Sequence, residues 1–307
     1  MILSDVQRVW GLSGRLLQHI NSPTMLKRLK YASIIFRNQE GALKLLENSE
    51  IYFNEMLLNR PDYFQIIDAP YMDATWKFEQ RIEKLINHQK SIDEKYSMFN
   101  FKFDEIIELY NLSDLGISDY RIIIDKPTWF HREGLLSINI FKCQVRIFTL
   151  SFSIQSNNEN YSIFIGGIQG RNLKNILDDY RNFTKLTHGM RPRDFIIELI
   201  RILARVMGIN QIMAISDECR HQRHPYFGKN TDRPLPANYN EIWADRGGVR
   251  TSESVWILPL HLERDIQTIA AKKRAMYKKR YHMLTQIEAN IKSNFPQLMP
   301  VHAFQAG

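Results

Sequence analysis

The sequence has few of the features that mark disulfide-rich, membrane-spanning or repetitive proteins. It contains two cysteines, Cys143 and Cys219, among 307 residues. Two cysteines are too few for a disulfide scaffold, and their spacing forms no zinc motif. No apolar run approaches the roughly 20 residues that span a bilayer, and no internal repeat or low-complexity tract is visible. The first residues lack a basic region followed by an apolar run, so no signal peptide is visible. We therefore expect a cytoplasmic globular protein.

What the sequence does have is an excess of basic residues. Its 41 Lys and Arg outnumber its 33 Asp and Glu, which gives a formal net charge of +8. This excess of positive charge favours anionic partners such as nucleic acid, acidic lipid surfaces or phosphorylated cofactors. It does not distinguish among them. Hydrophobic residues make up 44% of the chain, an ordinary share for a protein with a packed core.

Composition and periodicity divide the chain into three parts. Residues 1–95 are expected to be helical, with Ser22-Pro23 as a helix start signal and a further helix over about 71–90. Residues 96–262 are expected to form an α/β domain, and residues 263–307 a long basic helix with a tail. The fold class is thus α+β or α/β, with a helical amino-terminal region and a mixed, mostly antiparallel sheet flanked by helices.

The second part begins with segments that are typical of β-strands. Short links between them favour antiparallel pairing. These segments are residues 122–124, 136–140, 145–152 and 161–165.

The stretch from residue 161 to residue 216 predicts the core of the α/β domain. The strand 161–165 runs into a glycine-rich turn at 166–170. A helix then begins near Pro192 and ends before Gly208, since proline favours the first turn and glycine follows the last. The unbroken apolar run 212–215 predicts a buried strand, which is typical of parallel pairing.

Two loops of this core are candidate phosphate-binding elements. Glycines let a backbone approach a ligand closely, and a helix start offers free N–H groups and partial positive charge to an anion. The alternative is a tight turn followed by an ordinary helix cap. The candidate cofactor-binding residues are Gly166, Gly167, Gln169 and Gly170 in the first loop, and Gly189, Arg191 and Arg193 in the second.

The order of these elements resembles the core of the GNAT-like N-acyltransferase fold. The helix-to-strand stretch that carries the resemblance is residues 204–215, Ala-Arg-Val-Met-Gly-Ile-Asn-Gln-Ile-Met-Ala-Ile. In that fold the loop and helix start hold the pyrophosphate of an acyl-carrier cofactor. The resemblance implies a phosphate-bearing acyl donor: acyl-CoA, acyl carrier protein or aminoacyl-tRNA. The usual Gln/Arg-x-x-Gly-x-Gly/Ala run is absent here, and Gly189-Met190-Arg191-Pro192 stands in its place.

A second resemblance covers most of the chain. Four separated motifs occur in order, and together they resemble the VirK/YbjX family of Gram-negative bacteria. The resemblance implies a link to virulence and to resistance of the cell envelope against antimicrobial peptides, with no settled reaction. The motifs are residues 165–170, 188–192, 239–243 and 272–281.

Histidines and tyrosines near these motifs are candidates for proton transfer. An acyltransferase needs a base to deprotonate its nucleophile, and imidazole titrates near neutral pH. The candidates for this base are His188, His221 and His224. Tyr239 is a candidate for protonating the leaving thiolate, as is Tyr226. Asp217, His221 and His224, completed by Glu241 or Asp245, form an alternative metal site, but a hydrated polar loop is favoured and no metal is predicted.

The last helix carries a dense basic run interleaved with tyrosines. Such a helix can lie on anionic lipid or on RNA, which adds peripheral binding to the inner membrane as an alternative location. The structural alternative is the solvated face of a packed helix. The cations are Lys272, Lys273, Arg274, Lys278, Lys279 and Arg280.

Three functions are consistent with these patterns. The favoured one is an acyltransferase or aminoacyltransferase of GNAT-like type that acts on an amine or hydroxyl of a peptide, protein or envelope precursor. The second is an iron- or zinc-dependent enzyme built on the histidine-rich loop. The third is a non-catalytic, VirK-like envelope or virulence factor that docks on an anionic membrane through its basic helix.

Overall fold

A computed structural model describes residues 3–17, 25–38, 69–158 and 160–298. Two amino-terminal helices, α1 (Leu3–Leu17) and α2 (Met25–Arg37), pack against each other. The guanidinium carbon of Arg28 lies 4.0 Å from the ring centre of Trp10 at this contact. The expected start signal at Ser22-Pro23 lies outside the described residues.

The next helix, α3, spans Phe78–Lys95 and starts later than the expected residue 71. Residues 69–77 instead form an irregular segment, because Asp73 accepts a hydrogen bond from the Thr75 N–H at 2.8 Å and closes a turn. Met72 has a positive φ of 53°, which a helix does not allow. Met72 is buried, and Trp76 is partly buried and stacks on Phe164 at 5.6 Å between ring centres.

Eight strands form one sheet with the order β1-β2-β3-β4-β5-β6-β8-β7. Every pair of neighbours is antiparallel except β5 and β6, which are parallel. This confirms a mixed α+β fold with a mostly antiparallel sheet and a helical amino-terminal region. The strands are β1 (Ile107–Asn111), β2 (Tyr120–Asp125), β3 (Leu136–Lys142), β4 (Val145–Asn157), β5 (Asn160–Gly170), β6 (Gln211–Ile215), β7 (Val249–Arg250) and β8 (Val255–Leu258).

The expected glycine-rich turn at 166–170 is wrong, because these residues continue β5. They pair with β4, where Ser151 lies opposite Gly167 and Phe152 lies opposite Ile165. Gly166 is therefore an unpaired extra residue, a β-bulge. The glycines are needed for close approach of other chain segments rather than for a change of direction.

The two faces of the sheet carry different helices. On one face, Phe148 of β4 contacts Tyr180 of α4 (Ile176–Leu186). Phe183 of α4 in turn packs on Phe195 of α5 (Pro192–Val206). On the other face, the Gln155 side chain donates to a carbonyl of α3. Helices α4 and α5 thus cover one face, and α3 covers the opposite face.

The predicted helix and buried strand are confirmed. Pro192 occupies the first turn of α5, and Gly208 follows its end with a φ of 65°. The chain then enters β6, whose Ile212 pairs with Ile163 of β5 in parallel. The other edge of β6 pairs with β8 in antiparallel fashion.

The carboxyl-terminal region consists of α6 (Tyr239–Asp245), strands β7 and β8, and the long helix α7 (Ala271–Asn294). Helix α7 starts later than the long basic helix expected from residue 263 onward, because residues 266–268 form a separate short turn. Ala270, Tyr277, Leu284 and Ile291 recur every seven residues, which predicts one buried seam along this helix. Leu284 and Ile291 are buried as expected. Ala270, by contrast, precedes the helix and is exposed.

Candidate functional site

A cavity of about 430 Å³ lies at the amino-terminal end of α5. Its walls come from the loop before α5, the end of α6, the segment around residue 263 and the middle of α7. We call it the arginine pocket because five of its lining residues are Arg191, Arg193, Arg246, Arg264 and Arg280. The other named lining residues are Gly189, Met190, Asp194, Glu198, Asp245, Leu262, Glu263, Tyr277, Tyr281 and Leu284.

Acidic side chains neutralise part of the charge in the arginine pocket. Asp194 lies 3.4 Å from Arg193 and 3.7 Å from Arg246. Glu198 lies 3.8 Å from Arg264. The Arg191 side chain, in contrast, is exposed and makes no hydrogen bond or ion pair with any described residue. It is therefore the cation of this pocket that is most available to an anion.

The pocket is closed on one side by the basic helix. The Arg280 guanidinium donates to the His188 carbonyl oxygen at 2.9 Å and lies 4.1 Å from the ring centre of Tyr277. Gly189 has a φ of 78°, and a side chain there would press on Met276 and Arg280. The glycine thus permits the close approach of α7 that forms the pocket wall.

A second feature is a gap between β5 and β6. Their pairing ends at Ile165 and Ala214, although β5 continues to Gly170. The Tyr239 hydroxyl takes the place of a strand partner. It accepts from the Ile168 N–H at 2.9 Å and donates to the Ile168 carbonyl oxygen at 3.2 Å. Burial raises the pKa of Tyr239 to about 12, so the phenol keeps its proton at neutral pH.

Residues after β6 surround this gap. The Arg220 guanidinium carbon lies 3.7 Å from the ring centre of Tyr239. Asp217 bonds to Arg220 at 3.2 Å and to Arg223 at 2.6 Å, and it also accepts from the Tyr239 N–H. These bonds anchor the start of α6 at the carboxyl end of β6, where α/β proteins place ligand sites.

Glu133 and His221 form a buried pair next to the gap. The exposed fraction is 6% for each residue. The Glu133 carboxyl accepts from the Gln222 amide at 2.7 Å, and His221 Nδ1 lies 3.9 Å from the same oxygen. Burial raises the pKa of Glu133 to about 8. Burial, followed by the nearby cations Arg132 and Arg220, lowers the pKa of His221 to about 3.

The structure brings some of the sequence-predicted residues together and keeps others apart. Gly189, Arg191 and Arg193 line the arginine pocket. Gly166, Gly167, Gln169 and Gly170 do not line it, because they lie within β5. Gly166 and Gly167 face Glu133, and Gly170 faces the Tyr180 hydroxyl.

The three candidate histidines lie in three different environments. His188 lines a separate cavity of about 320 Å³ together with Lys279 and His282. His224 lines another cavity, of about 420 Å³, with Thr75 and Arg223. His221 is buried beside Glu133. Of these histidines, only His221 has a carboxylate within 4.0 Å among the described residues.

The basic run of α7 divides into two groups. Arg274 donates to the Ile269 carbonyl oxygen at 2.8 Å, and Arg280 is held against His188 as described above. The four lysines of the run are exposed and form no ion pair within the described residues. Those lysines are Lys272, Lys273, Lys278 and Lys279.

Sequence reasoning missed Glu133, Arg246 and Arg264. Each lies in a loop or at an element end with no local pattern around it. Their neighbours in space are distant in the chain, so no spacing rule could connect them. In residues 3–17, 25–38, 69–158 and 160–298, no group of three or more His, Cys, Asp or Glu side chains is arranged to hold a metal ion.

Comparison with known proteins places the chain in a family. Residues 21–293 match the model of a family described as "Protein of unknown function (DUF535)". The chain belongs to the DUF535 family. YbjX of Escherichia coli, an uncharacterized protein, is 26% identical over 79% of this chain and 74% of its own length. An uncharacterized protein of Haemophilus influenzae is 22% identical over 85% of this chain and 86% of its own length.

A further Haemophilus influenzae protein is 33% identical over 52% of each chain. These matches confirm the resemblance to YbjX-type proteins that the four motifs indicated. No solved structure matches this chain. Within the described part of the chain, none of the helices combines the length and the apolar character that crossing a bilayer requires.

Proposed function

We propose that this chain transfers an acyl or aminoacyl group from a phosphate-bearing donor to an amine or hydroxyl of a peptide, protein or envelope precursor. The observation that carries the proposal is the arginine pocket at the amino-terminal end of α5. This helix joins β5 to β6, the parallel pair, and its first turn offers N–H groups and partial positive charge to an anion. The same arrangement of loop, helix and strand underlies the resemblance to the GNAT-like core.

Arginine side chains supply the phosphate contacts in this proposal. Pro192 removes one N–H donor from the helix start, so the backbone alone offers fewer donors than usual. Arg191 is free to bind, and a guanidinium can contact two phosphate oxygens at once. The acid groups in the pocket hold Arg193, Arg246 and Arg264 in place. Acyl-CoA, acyl carrier protein and aminoacyl-tRNA all present such phosphates.

Helix α6 connects the phosphate site with the gap between β5 and β6. Asp245 at its end lines the arginine pocket, whereas Tyr239 at its start fills the gap. Seven residues of helix span about 10 Å. A donor that reaches this far from its phosphates would bring its acyl carbon to Tyr239.

Tyr239 is positioned to protonate the leaving group. The nucleophilic nitrogen or oxygen bonds to the acyl carbon, and the bond from that carbon to the donor sulfur or oxygen breaks. The leaving atom takes the Tyr239 proton, and the nucleophile gives its own proton to a base. That proton restores the phenol after the product leaves, so no proton is gained or lost overall. A phenol with a pKa of about 12 is an acid at neutral pH, so it starts each turnover protonated.

Direct binding measurements test this proposal. Acetyl-CoA, a longer acyl-CoA and an aminoacyl-tRNA are titrated into the purified protein by calorimetry. We expect at least one of them to bind, and Arg191→Ala to weaken its binding at least tenfold. Arg181→Ala is the matched control, because Arg181 is an exposed arginine on α4 that pairs with Asp178. If no donor binds, or if both variants behave alike, the proposal is wrong.

A second candidate is a non-catalytic factor that docks on anionic membrane. The four exposed lysines of α7 favour it, because they have no acidic partner among the described residues. No large apolar side chain is exposed on α7, so such docking would be electrostatic and sensitive to salt. Flotation with vesicles that contain phosphatidylglycerol is the test. Unchanged flotation after charge reversal of Lys272, Lys273 and Lys278 would exclude docking through α7.

A further inference from the structure

Two glycines of β5 leave the space in which Glu133 packs against the strand. A side chain at Gly166 would overlap the Glu133 carbonyl oxygen, and one at Gly167 would come within 2.7 Å of the Glu133 Cβ. The bulge at Gly166 lies at the same level. β-Bulges often redirect a side chain next to an active site, and a glycine within a strand often allows another segment to approach closely.

His221 is fixed opposite Glu133 by backbone contacts. The backbone N–H of His221 donates to the Met72 carbonyl oxygen at 3.1 Å. The backbone N–H of Met72 donates to the Arg132 carbonyl oxygen at 2.7 Å. Met72 has a φ of 53°, a conformation that costs energy for a residue with a side chain. The strained residue therefore ties the Glu133 loop and the His221 turn together.

The His221 ring has an unfilled hydrogen-bonding position. Its Nδ1 has no hydrogen-bond partner within the described residues, and the Glu133 carboxyl oxygen lies 3.9 Å away. The other titratable or cationic groups that face the ring are His131, Arg132 and Arg220. These three groups disfavour a positively charged imidazole. Among the groups named here, only the Glu133 carboxylate can favour the charged form.

The pair lies on the face of the sheet opposite the arginine pocket. Gly167, which contacts Glu133, is paired with Ser151, and Ser153 on the same face bonds to Tyr71 at 2.7 Å. Helix α5 and its pocket are on the other face. Burial and, to a smaller extent, Glu133 raise the pKa of Tyr239, so the Glu133 carboxyl lies close to the phenol that fills the gap. A donor on one face and an acceptor on the other would therefore both approach Tyr239.

We propose that His221 is the base that deprotonates the acceptor and that Glu133 is the positioning residue that receives the proton through it. This inference rests on the proposed acyl transfer. The acceptor N–H or O–H proton passes to Nε2 of His221 as the bond to the acyl carbon forms. The Nδ1 proton passes to the Glu133 carboxylate. The imidazole ends neutral with its proton on the other nitrogen, and Glu133 ends protonated.

This proton path fixes the pH dependence. The pair is a base only when Glu133 is ionised, because a protonated Glu133 cannot accept from Nδ1. The raised pKa of Glu133, about 8, therefore predicts that the rate of transfer increases as the pH rises from 7 to 9. Without Glu133, the imidazole alone is a weak base, since its surroundings lower its pKa to about 3.

Nitrogen-15 NMR of the histidine side chains tests the pairing without any substrate. In the full-length protein we expect the His221 Nδ1 signal to shift with a midpoint near pH 8, and Glu133→Gln to abolish that shift. Glu241→Gln is the matched control, because Glu241 is exposed and bonds to Asn238 at 2.9 Å. If the His221 shift persists in Glu133→Gln, the pairing is wrong.

Activity then separates this inference from the proposed function. With a donor that binds, Glu133→Gln should lower the rate at pH 9 at least tenfold and remove the pH-dependent rise, with donor affinity unchanged. His221→Gln should do the same. A normal pH profile in both variants overturns the role of the pair and leaves acyl transfer standing. Failure of every donor to bind overturns acyl transfer, whereas the NMR result stands by itself.

Discussion

Gly166 leaves no room for a side chain, because Glu133 crosses β5 at this point. We predict that Gly166→Ala lowers the free energy of unfolding by about 1–3 kcal/mol, as other overpacked sites do. Urea unfolding followed by circular dichroism measures the change. Gly11→Ala on α1 is the control, since a Cβ added there would meet no atom within 4 Å and alanine favours a helix. Equal stabilities for the two variants would contradict the close approach.

The raised pKa of Glu133 also predicts how the free energy of unfolding depends on pH. Its pKa is about 8 in the folded protein and about 4.5 in an unfolded chain. Between these values the folded state holds a proton that the unfolded state has released, so stability falls as the pH rises. The slope from this one group is at most about 1.4 kcal/mol per pH unit. Glu133→Gln should lose this slope between pH 5 and 8 in urea unfolding. An unchanged slope would show that Glu133 ionises as it does in solvent.

At the scale of single elements, α3 completes the free edge of β4. Strand β3 begins at Leu136, opposite Phe152, so the later residues of β4 have no β3 partner on that side. Asn87 supplies one, because its amide donates to the Ser156 carbonyl oxygen at 2.9 Å and accepts from the Ser156 N–H at 2.6 Å. His88 Nδ1 accepts from the Ile154 N–H at 3.0 Å. The helix thus binds the strand through side chains that imitate a neighbouring strand.

His88 must stay neutral to accept this bond, and burial lowers its pKa to about 3. An unfolded histidine titrates near 6.5, so the folded state binds fewer protons between these values and stability is lost as the pH falls from 6.5 towards 3. We predict that the loss of stability between pH 7 and pH 5 is smaller in His88→Gln than in the wild type. His282→Gln, at an exposed histidine, should match the wild type. Identical losses in all three proteins would contradict a neutral, buried His88.

The elements that local signals define were predictable from the sequence. Proline at the start of α5, glycine after its end and a wide apolar face between them are enough to specify that helix. The stretch 166–170 was not predictable in the same way, since glycine marks both a turn and a close approach. The structure shows a close approach because Glu133 packs against these glycines, and Glu133 lies more than thirty positions earlier in the chain.

The candidate site shows the same limit. Gly189, Arg191 and Arg193 are close in sequence, and their position before a helix start indicated an anion site. Arg246, Arg264 and Arg280 join them only because α6, the segment near residue 263 and α7 pack around α5. The pairing of Glu133 with His221 likewise depends on two loops that meet across Met72.

At the scale of the whole molecule, the exposed lysines of α7 extend the basic surface beyond the arginine pocket. They provide a test of which donor is used. If the donor is an aminoacyl-tRNA, Lys273→Ala and Lys278→Ala should weaken its binding and lower the slope of log K against log salt by about 0.7–0.9 for each lost phosphate contact. Binding of acyl-CoA should be unchanged in both variants. Loss of acyl-CoA binding would show that these lysines act within the pocket instead.

The parallel pairing of β5 and β6 has a consequence for the order of assembly. Strands β3, β4 and β5 are joined by two-residue connections, whereas Ile163 and Ile212 are separated by about 50 residues. Contacts between distant residues cost more chain entropy and form later on average. We expect the hairpins to form first and the gap to be closed last, when Tyr239 reaches Ile168. Tyr239→Phe should therefore accelerate unfolding and leave the refolding rate nearly unchanged in stopped-flow measurements. Slower refolding would place the closing of the gap before the rate-limiting step.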